Sequence, residues 1–392
     1  MVRKMSEYQY YEFQAIDRPL TDKEMAELRR YSTRARITAT SFINDYSWGS
    51  FRGNEDAWME KYFDAHLYAA NWGTHVFKLR LPARLLEMGA ARLYCVGERA
   101  CVREKNEKII LTFVSEDEGG GDWVAGEGML SSLISVRSEL ARGDLRALYL
   151  GWLLCAQSGV LDGDEVEPRV PAGLGQLSAS LESLVEFLRI DTDLLDVAAT
   201  ASPLLDRMEP KPAEVRGWLA KLTPADKDDI LARLMIGNDA ALAYELVQRM
   251  RRERQGDPDA GEAVTEQRTV AELLHAAEQA ADERERIAAA KAAEEKDRRE
   301  RAAARARAKR LDQLAGNEPM LWAKVESLIA TKQPKGYDQA VELLVDLRDI
   351  AARKDGADFR ERIEALRTAH ARKPTLIDRL HKAGLFVGDI GT

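Results

Sequence analysis

The pattern of apolar and polar positions divides the chain into three regimes. Up to about residue 128, strand and helix signals alternate. Residues 8–16 are aromatic and β-prone, and beyond Pro19 a capping box of Thr21 and Glu24 precedes Met25 and Leu28. Ile37, Thr38, Thr40 and Ile43 mark residues 37–46 as a second strand. Between Asn54 and Trp72, the residues Trp58, Tyr62, Phe63, Leu67 and Tyr68 recur at three and four, which predicts a helix stopped by Gly73. Residues 76–81 alternate as a strand, and 93–102 with 108–114 flank a polar turn as a hairpin does. This order predicts an α+β sandwich, for which a ferredoxin-like arrangement is one candidate.

Past the acidic, glycine-rich turn at 116–121, the period becomes helical throughout. Helices are expected over 130–157, 176–190, 193–201, 212–221, 224–236 and 239–254, with Thr223 and Pro224 marking one start. Gly256, Pro258 and Gly261 among four acids predict a flexible connection over 256–268. Thr269 and Glu272 then form a capping box, and neither glycine nor proline interrupts the pattern until Gly316. That predicts one helix of about 45 residues and roughly 70 Å. It carries no large apolar side chain between Ile287 and Leu311, so it lacks the seam of a coiled coil. The last 75 residues return to amphipathic helices at 318–330, 337–353, 359–371 and 375–383. Tyr337, Ala340, Val341, Leu344, Leu347 and Ile350 mark one apolar face, and Phe359, Ile363 and Leu366 another. The expected organisation is an α+β domain (1–128), a helical bundle (129–255), a linker (256–268), a long charged helix (269–316) and a tetratricopeptide-like helical-hairpin tail (317–392).

Composition narrows the classes. The 392 residues carry 58 Lys and Arg against 66 Asp and Glu, a net charge of -8, so any polyanion binding must be local. One block qualifies. Arg298, Arg299, Arg301, Arg305, Arg307, Lys309 and Arg310 stand against Glu300 alone, a net +6 in 13 residues, which leaves about -14 for the remainder. The same block suits a solvated helix end whose cations favour the C-terminal dipole, or an acidic protein partner. Three cysteines, Cys95, Cys101 and Cys155, do not make a secreted disulfide framework and point to the cytoplasm. The apolar run at 147–156 is too short for a bilayer at roughly 20 residues, so no membrane association is expected and a buried helix is.

Catalytic signatures are few. Tyr8, Tyr10, Tyr11, Phe13, Tyr46, Trp48 and Phe51, near Arg29, Arg30, Arg34 and Arg36, suit a stacking surface for RNA or, more simply, a core. His66 and His75 have no zinc spacing with any cysteine. Asp162, Asp164 and Glu165 suit a turn, and Asp191 with Asp193 a helix cap, rather than a calcium loop. Gly119–Gly121 and Gly173–Gly175 lack the remainder of any phosphate loop. Glu60, Asp64 and His66 are the best acid–base group on offer, although helical spacing turns His66 away from the other two. No metal or cofactor is expected.

Two resemblances add to this. The segments Tyr11-Glu-Phe-Gln-Ala-Ile-Asp-Arg-Pro-Leu20, Ser32-Thr-Arg-Ala-Arg-Ile-Thr38, Tyr62-Phe-Asp-Ala-His66 and Ala70-Asn-Trp-Gly-Thr74 resemble a widespread bacterial family that carries no assigned activity. That resemblance extends through Arg142-Gly-Asp-Leu-Arg-Ala-Leu-Tyr-Leu-Gly-Trp152 and Pro171-Ala-Gly-Leu174, about half the chain. The tail, from Tyr337-Asp-Gln-Ala-Val341 to Arg372-Lys-Pro-Thr-Leu376, is similar to helical tails of bacterial proteins that bear a SWIM-type zinc finger. The finger's Cys-x-Cys and Cys-x-His pairs are absent here, so the similarity implies at most a shared docking module. The expected function is a non-enzymatic adaptor that recruits a protein partner through the face of Tyr337, Val341 and Leu344. The alternative is a nucleic-acid-associated factor in DNA processing or phage defence that uses the basic block.

Overall fold

The structure, a computed structural model, describes residues 8–117, 126–204, 212–236, 242–255, 267–353 and 357–385. The expected turn at 116–121 and linker at 256–268 lie mostly outside these residues. The chain divides into two compact units, Met1–Arg284 and Glu285–Thr392.

In the first unit, seven strands form one antiparallel sheet: β1 (Gln9–Gln14), β2 (Arg36–Ile37), β3 (Ser41–Tyr46), β4 (Ala65–Ala70), β5 (His75–Pro82), β6 (Ala100–Lys105) and β7 (Lys108–Ser115). Their order is β2-β3-β1-β4-β5-β7-β6. Helices α1 (Asp22–Arg29), α2 (Glu55–Lys61) and α3 (Met88–Tyr94) lie between strands. The Thr21–Glu24 capping box starts α1 as expected.

Three expectations for the sheet region are corrected. Residues 37–46 make two strands, because the chain turns between β2 and β3. Residues 54–72 are not one helix: α2 ends at Lys61, and β4 follows in the middle of the sheet. All six residues of β4 are buried on both faces, so no period-2 alternation betrays it. The strand expected at 93–102 begins only at Ala100, because Leu93 and Tyr94 form the end of α3. The hairpin itself is present, with Asn106 and Glu107 both left-handed in its two-residue turn.

Side-chain alternation sends Tyr11, Phe13, Phe42 and Tyr46 to one face, where Leu28 of α1 with Trp58 and Met59 of α2 cover them. Phe77, Leu79, Leu111 and Phe113 point to the other face. There they meet α4 (Met129–Leu133), α5 (Ser135–Ala141), α6 (Arg146–Gln157), α7 (Ala179–Leu188) and α8 (Thr192–Ala199). The single helix expected over 130–157 is thus three, interrupted after Leu133 and again at Gly143, whose φ of 83° lies in the left-handed region. From Arg146 to Ala156 every residue of α6 is buried, as its apolar run predicts. The helix lies flush on the sheet: a Cβ on Gly151 would come within 2.5 Å of the Phe113 ring. The sheet and these helices, separated at residue 128 in the sequence reading, share one core. Helices α9 (Pro212–Lys221), α10 (Pro224–Ile236) and α11 (Leu242–Gln255) add a small cluster around Trp218, Leu222 and Met250.

Helix α12 runs from Val270 to Leu314, as the capping box and the uninterrupted pattern predict. Its first turns are pinned by a bridge between Val166 and Thr269, while Val270 and Leu273 enter the core of the first unit. In the second unit, α13 (Glu318–Ala330), α14 (Pro334–Ala351), α15 (Ala357–Ala369) and α16 (Pro374–Lys382) surround a core of Val325, Ile329, Leu344, Ile363 and Leu380. Among the described residues, no helix is long and apolar enough to cross a membrane.

Candidate functional site

From Asp282 to Arg310 every residue of α12 is exposed. Alanine supplies propensity and charge supplies solvation, which sustains a helix without a packed face. Within the basic block, the seven cations separate into two kinds. Arg299 pairs with Glu295 at 2.5 Å and Arg301 with Asp297 at 2.9 Å, both one turn back along the helix. Arg307 pairs with Asp349 of α14, and Arg310 reaches Glu342 at 3.2 Å and Asp346 at 2.7 Å on the same helix. Arg298, Arg305 and Lys309 have no ion pair among the described residues. The block therefore offers three unneutralised cations.

The apolar face of α14 is turned inward. Tyr337 and Leu344 are buried within the second unit and Val341 is half-buried against the same core. The face expected to meet a partner packs against neighbours in its own unit.

The acid–base residues of the first unit are held apart. Asp64 is buried and takes both Nε and Nη2 of Arg80 on Oδ1, at 3.0 and 2.8 Å, while Oδ2 accepts from the backbone N–H of Ile16 and Asp17. Burial favours a raised Asp64 pKa, but the guanidinium and the two N–H groups outweigh it and hold the carboxyl below its usual range. Glu60 receives Lys105 at 2.6 Å. His66 stacks on Phe13 at 3.9 Å, with Nδ1 at 3.0 Å from the Glu12 carbonyl and Nε2 at 3.4 Å from Glu55. Glu55 also holds Lys78; burial opposes its ionisation, yet His66 and Lys78 bring its pKa down to about 2. The three side chains are thus bound to different partners, although Arg80 also donates to the Glu60 carbonyl at 2.8 Å.

The aromatic group behaves as a core except at Trp48, which is 70% exposed beneath the guanidinium of Arg34 at 4.9 Å from the ring. All three cysteines are free; burial pushes the Cys95 thiol up to about 12 and the Cys155 thiol up to about 11. Asp191 caps α8, accepting from the N–H of Asp193 and Leu194, and Asp162 and Glu165 close a turn on each other. Gly173 offers its carbonyl to the buried Arg146, and Gly119–Gly121 lie outside the described residues. Among the described residues, no group of three or more His, Cys, Asp or Glu is placed to hold a metal.

Sequence reasoning missed one polar junction. His75 of β5 places Nδ1 at 2.7 Å from the Phe187 carbonyl at the end of α7 and accepts on Nε2 from Arg189 at 3.0 Å. Arg189 caps α7 with φ of 55°, a position where glycine or asparagine is the usual signal, so nothing in the chain announces it. Burial, with the Arg189 cation, lowers the His75 pKa despite the Phe187 carbonyl, which keeps the imidazole neutral. A depressed histidine binds its proton in the unfolded chain first, so the first unit loses stability as pH falls below about 6.5. Urea midpoints measured from pH 7.5 to 5.5 are expected to fall in the wild type and to fall less in a His75→Gln variant. Equal slopes remove His75 as the cause.

No protein-family model, no curated protein and no solved structure matches the chain.

Proposed function

We propose that the protein is a non-enzymatic, multidomain adaptor that recruits a protein partner in the bacterial cytoplasm. The observation that carries this reading is the unbroken run of exposed residues from Glu285 to Arg310 on α12, a charged helical surface of the second unit. Supporting it, the acids of the candidate acid–base group are engaged in ion pairs: Lys78 with Glu55 and Lys105 with Glu60 hold the sheet to α2, and Arg80 holds Asp64. For residues 8–70 the ferredoxin-like reading has support in the order β2-β3-β1-β4, with α1 after β1, α2 after β3, and both helices on one face. The shared core of α13–α16 supports the helical-hairpin tail, and with it the docking role that the SWIM-type resemblance implies.

The test places a photo-crosslinking amino acid at Ala290 or Ala303, both exposed on α12, in the native host. A discrete protein adduct that survives nuclease treatment is the expected result. Irradiation that yields no protein adduct at either position overturns the adaptor reading.

A second reading is favoured by the three unneutralised cations of α12: a nucleic-acid-associated factor, in DNA processing or phage defence, that binds phosphates through 298–310. It predicts binding that weakens steeply with salt.

A further inference from the structure

Helical geometry sorts the basic block by direction. At 100° per residue, Arg305 lies about 20° to one side of Arg298 and Lys309 about 20° to the other, so the three cations form one straight row. The row rises about 16 Å along the helix axis. The cations that pair with α14, Arg307 and Arg310, lie about 180° and 120° round from Arg298. Leu311 and Leu314, the buried and half-buried residues of the last turns, fall on that side too. One side of α12 is therefore committed to its own unit, and the row occupies the other.

We infer that Arg298, Arg305 and Lys309 form a phosphate-tracking rail for the backbone of a nucleic acid, whereas the remaining cations of the block serve the protein's own structure. The inference deepens the second reading above and rests on it. Three observations carry it. No ion pair neutralises the row: from Arg301 to Leu311 the sequence contains no acid, Glu294 one turn before Arg298 makes no ion pair with it, and Asp312 beyond Lys309 is taken by Arg353 at 2.6 Å. The surroundings of the row are alanines, Ala302, Ala306 and Ala308, with no aromatic or large aliphatic side chain to anchor a protein interface. A surface of charge without an apolar anchor binds through counterion release, which is what a phosphate backbone provides. Finally, charge is divided between the units: residues 285–392 carry 23 Lys and Arg against 18 Asp and Glu, net +5, against -13 for residues 1–284. The long-range field of the second unit thus favours a polyanion while that of the first disfavours one.

Rigid positioning follows from the helix itself. Gln, Glu or Lys at these positions leaves propensity nearly unchanged, so substitutions report on charge rather than on folding.

The test uses the full chain and a fluorescein-labelled 20-base-pair duplex of mixed sequence, read by anisotropy from 50 to 300 mM salt. Two triple variants remove the same charge from opposite sides of α12. One is Arg298→Gln, Arg305→Gln, Lys309→Gln; the other is Lys296→Gln, Arg299→Gln, Arg307→Gln. Circular dichroism confirms equal helicity. The row variant is expected to lose at least about 30-fold in affinity at 50 mM salt, and its log–log salt slope to shrink by about 2.7, at 0.9 per phosphate released. The opposite-side variant is expected to stay within about threefold of wild type. If the wild type binds and the row variant binds equally well, the rail is wrong while the second reading stands. Equal losses in both variants reduce the effect to bulk charge and also overturn the rail. A wild type that does not bind at 50 mM salt overturns both the rail and the second reading, and an acidic protein becomes the ligand to seek on this face.

Discussion

Replacing Asp64 by alanine is expected to cost the first unit about 3–5 kcal/mol, because it leaves the Arg80 guanidinium buried without its counter-charge. Asp64 is 1% exposed and Arg80 9%, so neither charge has water to turn to. The substitution also strands the N–H groups of Ile16 and Asp17, which Oδ2 of Asp64 receives where β1 gives way to the loop before α1. Asp64→Asn keeps an acceptor for those groups and is expected to cost less than alanine. Removing both charges, with Asn at 64 and Met at 80, is expected to recover part of the loss. Urea denaturation of the four proteins checks this; an alanine variant within about 1 kcal/mol of wild type refutes the role assigned to the pair. The pH dependence has a definite sign. A carboxyl held below its usual range contributes stability that is present above the unfolded pKa of about 3.9 and is lost as pH falls through the lower folded value. Wild-type stability is therefore expected to decline below about pH 4, and the decline to be shallower in Asp64→Asn.

Truncating Leu344 to alanine is expected to cost the second unit about 2–5 kcal/mol, since the side chain is fully buried at the middle of α14 and leaves a cavity among α13, α15 and α16. For a unit of this size that is a large fraction of its stability. Hydrogen exchange is the informative measurement. Loss of amide protection is expected across α13–α16, while β4, β5 and β7, whose core is separate, keep theirs. Unchanged protection in α14 places Leu344 outside the core and restores the partner face that the sequence pattern suggested.

The same residue shows how periodicity misleads about use. Tyr337, Val341 and Leu344 recur at helical spacing, and that spacing identifies an apolar face without saying what covers it. In α14 the cover is the protein's own α13, α15 and α16. The basic block behaves in the opposite way. Its seven cations look alike in sequence, and Arg307 and Arg310 differ from Arg298, Arg305 and Lys309 through acids of α14, Glu342, Asp346 and Asp349, which are more than 30 residues away along the chain.

Local chemistry accounts for what the chain determines by itself. The capping boxes at Thr21 and Thr269, the Asp191 cap, the Pro224 start and the unbroken 45-residue α12 are all set within a few residues, because a cap satisfies N–H groups three positions away. The apolar run at 147–156 of α6 is legible for the same reason, as nothing but burial suits it. Tertiary structure alone decided the rest. It placed β4 as a strand where spacing suggested a helix, because a strand buried on both faces loses its alternation. It broke residues 129–157 into three helices, bound His75 to Arg189, and chose which cations of α12 are paired with α14. Each of these depends on groups far apart in the chain whose burial or charge has meaning only once they meet.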